Sequence, residues 1–315
     1  MIGSALRIYI KCVINKPDWC IANRMNKILV TGATGLLGSS LVPYLKKFGY
    51  AVVTHAHTTQ ADVMFDIADR IKTYEILEQI QPDVIVNLVG LTNVELCENQ
   101  VNLAYLANTR TVENLAYWIE SSKEDCHLVQ ISTDHVYDGM WLHTEDNVTI
   151  TNNYSFSKYA GELAALRVKS TILRTNFVGR SQVSYRESLT DWVYKSMVGS
   201  KQVQVLNDVY FSPLSIIALV QMIELVVQKK PIGTYNLGSH IGMSKADFAF
   251  AFAECLKLPT NTMTRIQSSE AKFFRAYRPK DMRMDSSKFE NVLGIKLPNL
   301  TDLIQPLAKE YNEIA

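Results

Sequence analysis

The sequence has almost no excess of charge of either sign. Its 315 residues include 32 Lys or Arg and 31 Asp or Glu, which gives a formal net charge of +1. Because a general nucleic-acid-binding protein normally carries a strong basic excess, we expect no nucleic acid among its partners. The length suits one large domain or two joined ones, and 47 % hydrophobic residues are typical of a soluble globular chain.

Cysteine and histidine patterns that would mark disulfides or metals are also lacking. The chain has five cysteines, an odd number with no CxxC pair, and six histidines with no HExxH motif. These patterns argue against a disulfide framework and a zinc knuckle. We therefore predict a protein of a reducing, cytoplasmic compartment that binds no metal.

No segment is apolar over a length that would export the chain or anchor it in a membrane. Residues 1–24 are interrupted by Lys11 and again at residues 15–17, whereas an export signal needs an apolar run of about 7 to 15 residues. The apolar stretch 214–227 is too short to span a bilayer. We interpret residues 1–24 as a non-essential extension, with Met25 as the functional start, and predict no membrane contact.

Short apolar segments alternate with helical ones through the first half of the chain. The predicted strands are residues 27–31, 51–55, 83–89, 127–132 and 171–174. They are apolar throughout, and amphipathic segments separate them, which is typical of a parallel sheet covered by helices on both faces. The sequence therefore predicts an α/β fold with a doubly wound parallel Rossmann sheet.

The regular alternation ends near residue 175. We assign residues 25–175 to an NAD(P)-binding Rossmann domain and residues 176–315 to a smaller, interleaved C-terminal α/β domain that binds the substrate. No Gly/Ser-rich linker separates the two parts, so we expect them to pack tightly. A segment at about 207–237 is expected to return to the Rossmann domain.

A glycine-rich run follows the first predicted strand. Residues 31–38 read TGATGLLG, and an amphipathic segment opens within the run. Gly32 and Gly35 permit a tight turn and the close approach of a pyrophosphate, while Gly38 lets helix and strand pack closely. The free N–H groups at a helix N-terminus favour an anion. In this context the run predicts a dinucleotide site.

The end of the second predicted strand bears on the choice between NAD and NADP. Residues 54–57 read THAH, without the Asp or Glu that would hold the ribose 2′-hydroxyl of NAD. An Arg that would mark NADP is missing as well. Both cofactors stay open, and the missing carboxylate favours NADPH.

A tyrosine and a lysine stand one helical turn apart. Tyr154 and Lys158 are at positions i and i+4, at the start of a helix predicted over residues 155–169, and share a face. The ammonium would lower the pKa of the phenol from its usual value of about 10, so that Tyr154 could donate a proton to a carbonyl oxygen. Upstream, Ser132 and Thr133 end a predicted strand, where a hydroxyl can bind the same oxygen.

Further motifs surround these residues. They are STDHVYDG at 132–139, NLVGLTNVELCE at 87–98, ILRTNFVG at 172–179, and Arg278-Pro279 ahead of Met284-Asp285. With them the chain resembles the extended short-chain dehydrogenase/reductase family. Within that family it is most similar to dTDP-4-dehydrorhamnose reductases and their relatives that act on nucleotide-linked 4-keto sugars.

The resemblance implies roles for individual residues. Thr133, Tyr154 and Lys158 would carry catalysis, with Thr133 orienting the carbonyl. Cofactor contacts are implied at Gly32, Thr34, Gly35, Leu36, Leu37, Asp66, Ile67, Val89, Gly90, Asn108, Tyr154 and Lys158. Substrate contacts are expected at Thr92, Val94, Asn176, Trp192 and Arg278. Core packing stays open as the alternative for Trp192, and a solvated face for Arg278.

The resemblance implies an NAD(P)H-dependent reductase of a nucleotide-activated 4-keto-6-deoxy sugar in polysaccharide biosynthesis. His135 stands where related 4,6-dehydratases have Glu, which disfavours dehydration, and Thr133 stands where GDP-fucose synthases have Cys. Two alternatives stay open: an epimerase that keeps its nicotinamide bound, and a non-catalytic regulatory subunit like methionine adenosyltransferase β. The expected partner is a nucleotide sugar, and a homodimer is compatible with these functions.

Overall fold

A computed structural model describes residues 26–272 and 274–312 of the chain, so the predicted extension 1–24 and the proposed start at Met25 lie outside the described residues. The strands in the described part are β1 (Lys27–Thr31), β2 (Ala51–Ala56), β3 (Val63–Met64), β4 (Val84–Asn87), β5 (His127–Ile131), β6 (Ser170–Thr175), β7 (Phe177–Val178), β8 (Val203–Leu206), β9 (Tyr210–Phe211), β10 (Leu214–Ser215), β11 (Gly233–Leu237), β12 (Met243–Ser244) and β13 (Met263–Ile266).

The helices of the described part cover the sheet and build most of the C-terminal part. They are α1 (Gly38–Lys47), α2 (Arg70–Ile80), α3 (Val94–Asn99), α4 (Val101–Tyr105), α5 (Thr111–Ser122), α6 (Asn153–Ala165), α7 (Leu189–Val198), α8 (Ile216–Lys229), α9 (Lys245–Cys255), α10 (Ser287–Leu293) and α11 (Leu300–Asn312). A π-helical turn (Leu106–Arg110) joins α4 to α5. No helix among the described residues is both long and apolar enough to cross a membrane.

The central sheet has seven parallel strands in the order β11-β6-β5-β4-β1-β2-β3. From β1 the chain runs outward through β2 and β3, then returns to β4 and continues on the other side. This reversal opens a crevice beyond the carboxyl ends of β1 and β4, where ligands bind in doubly wound sheets. The predicted doubly wound parallel sheet is confirmed.

The apolar strands are explained by burial on both faces. In β1, Ile28, Leu29 and Val30 are fully buried. Ile28 and Val30 join the core that includes Leu41 of α1, whereas Leu29 joins the core on the other face with Trp118 of α5. Successive strand side chains point to opposite faces, so a strand covered on both sides must be apolar throughout. Each buried Leu or Ile contributes about 1.5–3 kcal/mol.

The C-terminal part is interleaved with the sheet. Three two-stranded sheets, β7 with β10, β9 with β12 and β8 with β13, belong to this part. Within the segment 207–237, β9 pairs with β12, whereas α8 packs against α1 and β11 extends the central sheet beside β6. The domain boundaries at 175/176 stay a prediction.

Helix α6 begins and ends earlier than predicted. Asn152 caps it: its side chain accepts a hydrogen bond from the N–H of Ser155 at 2.8 Å, and its own N–H donates to the Ser155 hydroxyl at 3.2 Å. This reciprocal capping box starts the helix at Asn153 and places Tyr154 inside its first turn. Residues 166–169 turn into β6 instead of continuing the helix.

Candidate active site

The glycine-rich turn joins β1 to α1 at the crevice. Gly32 adopts a φ of +68°, and a Cβ atom there would lie 3.1 Å from the backbone of Leu88 and Val89. A Cβ at Gly38 would lie 2.5 Å from the Ala33 carbonyl oxygen. Glycine is therefore required at both positions, the first for a left-handed conformation and the second for close helix–strand packing.

The residues predicted to hold the cofactor along this crevice differ in how far their side chains are buried. The Thr34 and Thr59 hydroxyls are hydrogen-bonded at 2.6 Å, and Asp66 is exposed, with its Oδ1 accepting from the Ala68 N–H at 2.9 Å. The side chains of Leu37 and Ile67 are instead buried in the two cores. Leu36 is only partly buried. At Leu37 and Ile67 the structure therefore provides no side-chain contact with a cofactor.

The loop after β4 connects the glycine turn to the predicted catalytic lysine. Residues Leu88 and Val89 lie against Gly32, and a Cβ at Gly90 would lie 3.6 Å from the Lys158 Nζ. Asn108, in the π-helical turn, would be 3.1 Å from the same Cβ. The loop thus runs along the crevice from the glycine turn to Lys158, both of which are predicted to contact the cofactor.

Asn108 is a supporting residue. Its Oδ1 accepts from the Leu91 N–H at 2.8 Å, and its Nδ2 donates to the Leu91 carbonyl and to the Ser157 hydroxyl at 3.1 and 2.9 Å. These bonds fasten the loop after β4 to α6, and they occupy both ends of a buried amide. Asn108 therefore holds the site together through the protein and has little left to offer a cofactor.

Thr133, Tyr154 and Lys158 come together at the carboxyl end of β5. All three are buried, with 4 to 6 % of each residue exposed. The Thr133 hydroxyl donates to the Asp134 carboxyl at 3.3 Å and lies near enough to the phenol to lower its pKa. The Lys158 Nζ donates to the Ile131 carbonyl oxygen at 2.7 Å. The fold thus brings the three residues that were predicted to be catalytic into one cluster.

The electrostatics of Tyr154 differ from the expectation. Burial raises the pKa of the phenol, Asp134 and Cys97 raise it further, and the nearby Thr133 hydroxyl opposes them only in part. Lys158 is not among the groups that shift this pKa, and its Nζ donates to the Ile131 carbonyl at the end of β5. The phenol therefore stays protonated at neutral pH, which is the form that a proton donor needs.

Burial also acts on Lys158 and Asp134. It lowers the pKa of Lys158 to about 8, with Glu162 opposing the shift. It raises the pKa of Asp134 to about 6, although Asn176 donates a hydrogen bond to that carboxyl at 2.7 Å. Asn176, predicted as a substrate contact, is therefore already bonded to Asp134.

A buried ion pair that the sequence analysis missed lies one turn beyond Lys158. Glu162 accepts from the Arg174 Nε and Nη2 at 2.7 to 3.1 Å and from the Ser132 hydroxyl. The signal was present in the four-residue spacing of Tyr154, Lys158 and Glu162 along α6. Both charges are satisfied, so the pair fixes the end of β5 beneath the catalytic cluster.

Three of the predicted substrate residues differ in their surroundings. Val94 is buried in one small cluster with Tyr154, whereas Thr92 is exposed. Arg278 donates from Nη2 to Glu95 at 2.9 Å, but its Nη1 is buried without a hydrogen-bond partner. Val94 is thus part of the packing around Tyr154, and the Arg278 Nη1 is a buried donor that the described residues leave unsatisfied.

A cleft of about 820 Å³ opens between α7, β8 and α9. Trp192 and Phe274 line it, together with Lys245 at the start of α9. Lys245 interacts electrostatically with Asp134 and Arg278, and burial lowers its pKa. Neither Lys245 nor Phe274 was predicted, since no local motif marks them. Trp192 lines the cleft and also packs against the core, so its substrate contact stays a prediction.

A glycine turn on a doubly wound sheet, with Thr, Tyr and Lys clustered beyond β5, defines an extended short-chain dehydrogenase/reductase. A comparison of the sequence with protein families confirms that class and narrows it to one family. Residues 25–313 match the family model described as RmlD substrate binding domain, and the chain belongs to that family.

Relatives with established names cover nearly the whole chain. A dTDP-4-dehydrorhamnose reductase of Aggregatibacter actinomycetemcomitans is 27 % identical over 86 % of this chain and 95 % of its own. Methionine adenosyltransferase 2 subunit beta of Pongo abelii is 26 % identical over 90 % of this chain and 86 % of its own. Among solved structures, dTDP-4-dehydrorhamnose reductase from Bacillus anthracis in complex with NADP has a TM-score of 0.81 and 24 % identity, covering 91 % of this chain and 100 % of that one.

Proposed function

We propose that the protein is an NAD(P)H-dependent reductase of a nucleotide-activated 4-keto-6-deoxy sugar. The observation that carries the proposal is the buried cluster of Thr133, Tyr154 and Lys158 at the carboxyl end of β5. The family relationship and the reductase among the relatives support the same activity.

A nicotinamide dinucleotide fits the crevice on the sheet side. The glycine turn provides close backbone approach and the N-terminus of α1, which favour a pyrophosphate. The loop at Val89 and Gly90 leads from there to Lys158, and the missing side chain at Gly90 leaves room beside the ammonium. Because no residue of β2 itself is a carboxylate, we propose NADPH as the preferred form. The Asp62 carboxylate, which accepts a hydrogen bond from the Thr54 hydroxyl at 2.7 Å, is the nearby charge that acts against a 2′-phosphate.

The bound nicotinamide would supply the hydride, and the chain's own residues would handle the proton. Tyr154, protonated at neutral pH, donates its proton to the carbonyl oxygen of the substrate. Thr133 orients that oxygen by hydrogen bonding. Lys158, one helical turn away, donates to the Ile131 carbonyl and lies beside Gly90, where its ammonium would hold the ribose of the nicotinamide.

The nucleotide part of the substrate fits the cleft beside this cluster. Lys245 and Arg278 provide positive charge for a diphosphate. Trp192 and Phe274 provide aromatic faces for a base or a sugar. These groups explain how a chain with a net charge of only +1 can bind a doubly charged substrate.

The first test is oxidation of NADPH in the presence of dTDP-4-dehydrorhamnose. Tyr154→Phe removes the proton donor, and we expect at least a hundredfold loss of kcat. Tyr74→Phe, a half-exposed tyrosine on α2 that contacts Ser122, is the matched control and should keep full activity. Retention of more than about a tenth of the rate by Tyr154→Phe would contradict this mechanism. Turnover without added NADPH would select an epimerase instead.

The second candidate is a non-catalytic binding subunit. It is supported by the methionine adenosyltransferase subunit among the relatives, whose identity to this chain is close to that of the reductase. Such a subunit would show no NADPH oxidation with any 4-keto sugar nucleotide and would co-purify with a catalytic partner. The same two measurements therefore distinguish the candidates.

A further inference from the structure

Glu162 and Arg174 form an ion pair that is buried beside the catalytic cluster. Their exposed fractions are 1 % and 3 %. A buried ion pair adds little to stability, because the cost of removing two charges from water offsets their attraction. The Glu162 carboxylate also stands one helical turn after Lys158 on α6, where it shares a face with the lysine. This position indicates a part in the site itself.

Glu162 is connected to Lys158 through the end of β5. The Ser132 hydroxyl donates to the Glu162 carboxylate, and the Lys158 Nζ donates at 2.7 Å to the carbonyl oxygen of Ile131, the residue before Ser132. Arg174 donates to the same carboxylate from Nε at 3.0 Å and from Nη2 at 2.7 Å. Arg174 therefore holds Glu162 in one orientation, and Glu162 fixes the strand end to which the lysine is bound.

Glu162 also acts on the charge of the lysine. Burial lowers the pKa of Lys158 to about 8, and Glu162, followed by Cys97, opposes that shift. Burial raises the pKa of the Cys97 thiol to about 11, so the thiol is neutral where Lys158 titrates. Tyr154, one turn earlier on α6, stays protonated as well, because burial raises its pKa. Among the described residues, Glu162 is therefore the negative charge that keeps this ammonium protonated near neutral pH.

We propose that Glu162 is a positioning residue for the nicotinamide cofactor: its carboxylate keeps the Lys158 ammonium charged, and its hydrogen bond to Ser132 holds the strand end that orients this ammonium. The inference rests on the proposed function, in which Lys158 holds the nicotinamide ribose beside Gly90. Glu162 is itself buried and acts only through Lys158 and Ser132. A neutral side chain at position 162 would leave a lysine that loses its proton at a lower pH.

The test measures the Kd of NADPH by its fluorescence between about pH 6.5 and 9.5. In the wild type the Kd should be constant up to about pH 8 and then rise, by up to tenfold per pH unit for one linked proton. Glu162→Gln keeps the shape of the side chain but removes its charge, so the rise should begin about one pH unit lower. Near pH 7.5 this variant should bind NADPH about threefold more weakly than the wild type. Lys158→Met is the control and should show no rise in this range.

Three further variants separate charge, hydrogen bonding and folding. Glu162→Asp keeps the carboxylate, so its Kd should begin to rise at about the same pH as in the wild type. Ser132→Ala removes the hydrogen bond but no charge, and should weaken NADPH binding about threefold at every pH. Glu162→Gln leaves the Arg174 charge unpaired. If that variant does not fold, the double variant Glu162→Gln/Arg174→Gln replaces it and should show the same displacement.

A Kd that begins to rise at the same pH in the wild type and in Glu162→Gln or its replacement, or that rises in neither, would overturn the inference. So would a Glu162→Asp variant that behaves like Glu162→Gln, or a Ser132→Ala variant that binds NADPH as the wild type does. A wild type that binds neither NADPH nor NADH would overturn the proposed function together with the inference. Normal wild-type binding with variants that match it overturns the inference alone.

Discussion

The floor and the wall of the candidate site differ in how their polar groups are satisfied. We define the floor as Asn108, Ser157 and Lys158, and the wall as His135 and Arg278. Every floor side chain is hydrogen-bonded within the protein, whereas each wall residue has a buried nitrogen without a partner. The floor is thus fully hydrogen-bonded, while the wall keeps two buried nitrogens that the described residues leave without a partner.

The largest effect is expected from a substitution that breaks the packing of the floor. A Cβ atom at Gly161 of α6 would lie 2.3 Å from the Asn108 carbonyl oxygen, so Gly161→Ala must push α6 away from the π-helical turn. We expect the free energy of unfolding to fall by about 3 kcal/mol, at the upper end for an overpacked core. Denaturant unfolding measures it, with Leu163→Ala, an exposed position on the same helix, as the control. A loss below about 0.5 kcal/mol would show that the floor is not tightly packed.

A smaller effect concerns the charge buried in the floor. The pKa of Lys158 is about 8 in the folded chain and 10.5 without burial. Between these values the unfolded chain binds more protons, so stability rises with pH, by at most about 1.4 kcal/mol per unit for one proton. We therefore expect the wild type to gain stability relative to Lys158→Met between pH 8 and 10.

The control for this pH effect is Lys72→Met, because Lys72 is half exposed on α2 and outside the site. Its difference from the wild type should stay constant over the same pH range. Denaturant unfolding at several pH values measures both differences. A Lys158→Met variant whose stability follows the wild type at every pH would mean that the ammonium is not held in a buried floor.

The cluster of Thr133, Tyr154 and Lys158 could be predicted from the sequence better than the residues that surround the wall. Tyr154 and Lys158 are four residues apart, and Thr133 ends a strand, so spacing alone brings them to one edge of a parallel sheet. Lys245 and Phe274 reach the wall from the C-terminal part, 91 and 120 positions along the chain from Tyr154. A periodic sequence pattern does not predict contacts between residues so far apart in the chain.

The spacing of residues along the helix also failed to predict which group a side chain contacts. The i, i+4 relation predicted that the Lys158 ammonium would lower the pKa of Tyr154, but the ammonium is bound to the Ile131 carbonyl and burial dominates both groups. The side chain of Ile67 fills the core, so its predicted cofactor contact, which stays a prediction, would fall to the backbone. Shared faces follow from sequence, but burial and hydrogen-bond partners depend on the assembled fold.

The smallest predicted effect tests the connection between floor and wall. Asn152 caps α6 through its Oδ1, and its Nδ2 donates to the Tyr277 carbonyl at 3.0 Å, next to Arg278. Asn152→Asp keeps the cap acceptor but loses that donor. We expect the stability to change by less than about 1 kcal/mol, and the KM for dTDP-4-dehydrorhamnose to rise about fivefold, as one lost hydrogen bond allows.

Asn152→Ala provides the contrast, because it loses the cap as well and should cost about 1 kcal/mol of stability in addition to the rise in KM. Unfolding and steady-state kinetics on both variants separate the two roles. A KM that rises in Asn152→Ala but not in Asn152→Asp would show that the cap alone matters. The position of the wall would then not depend on the hydrogen bond between Asn152 and Tyr277.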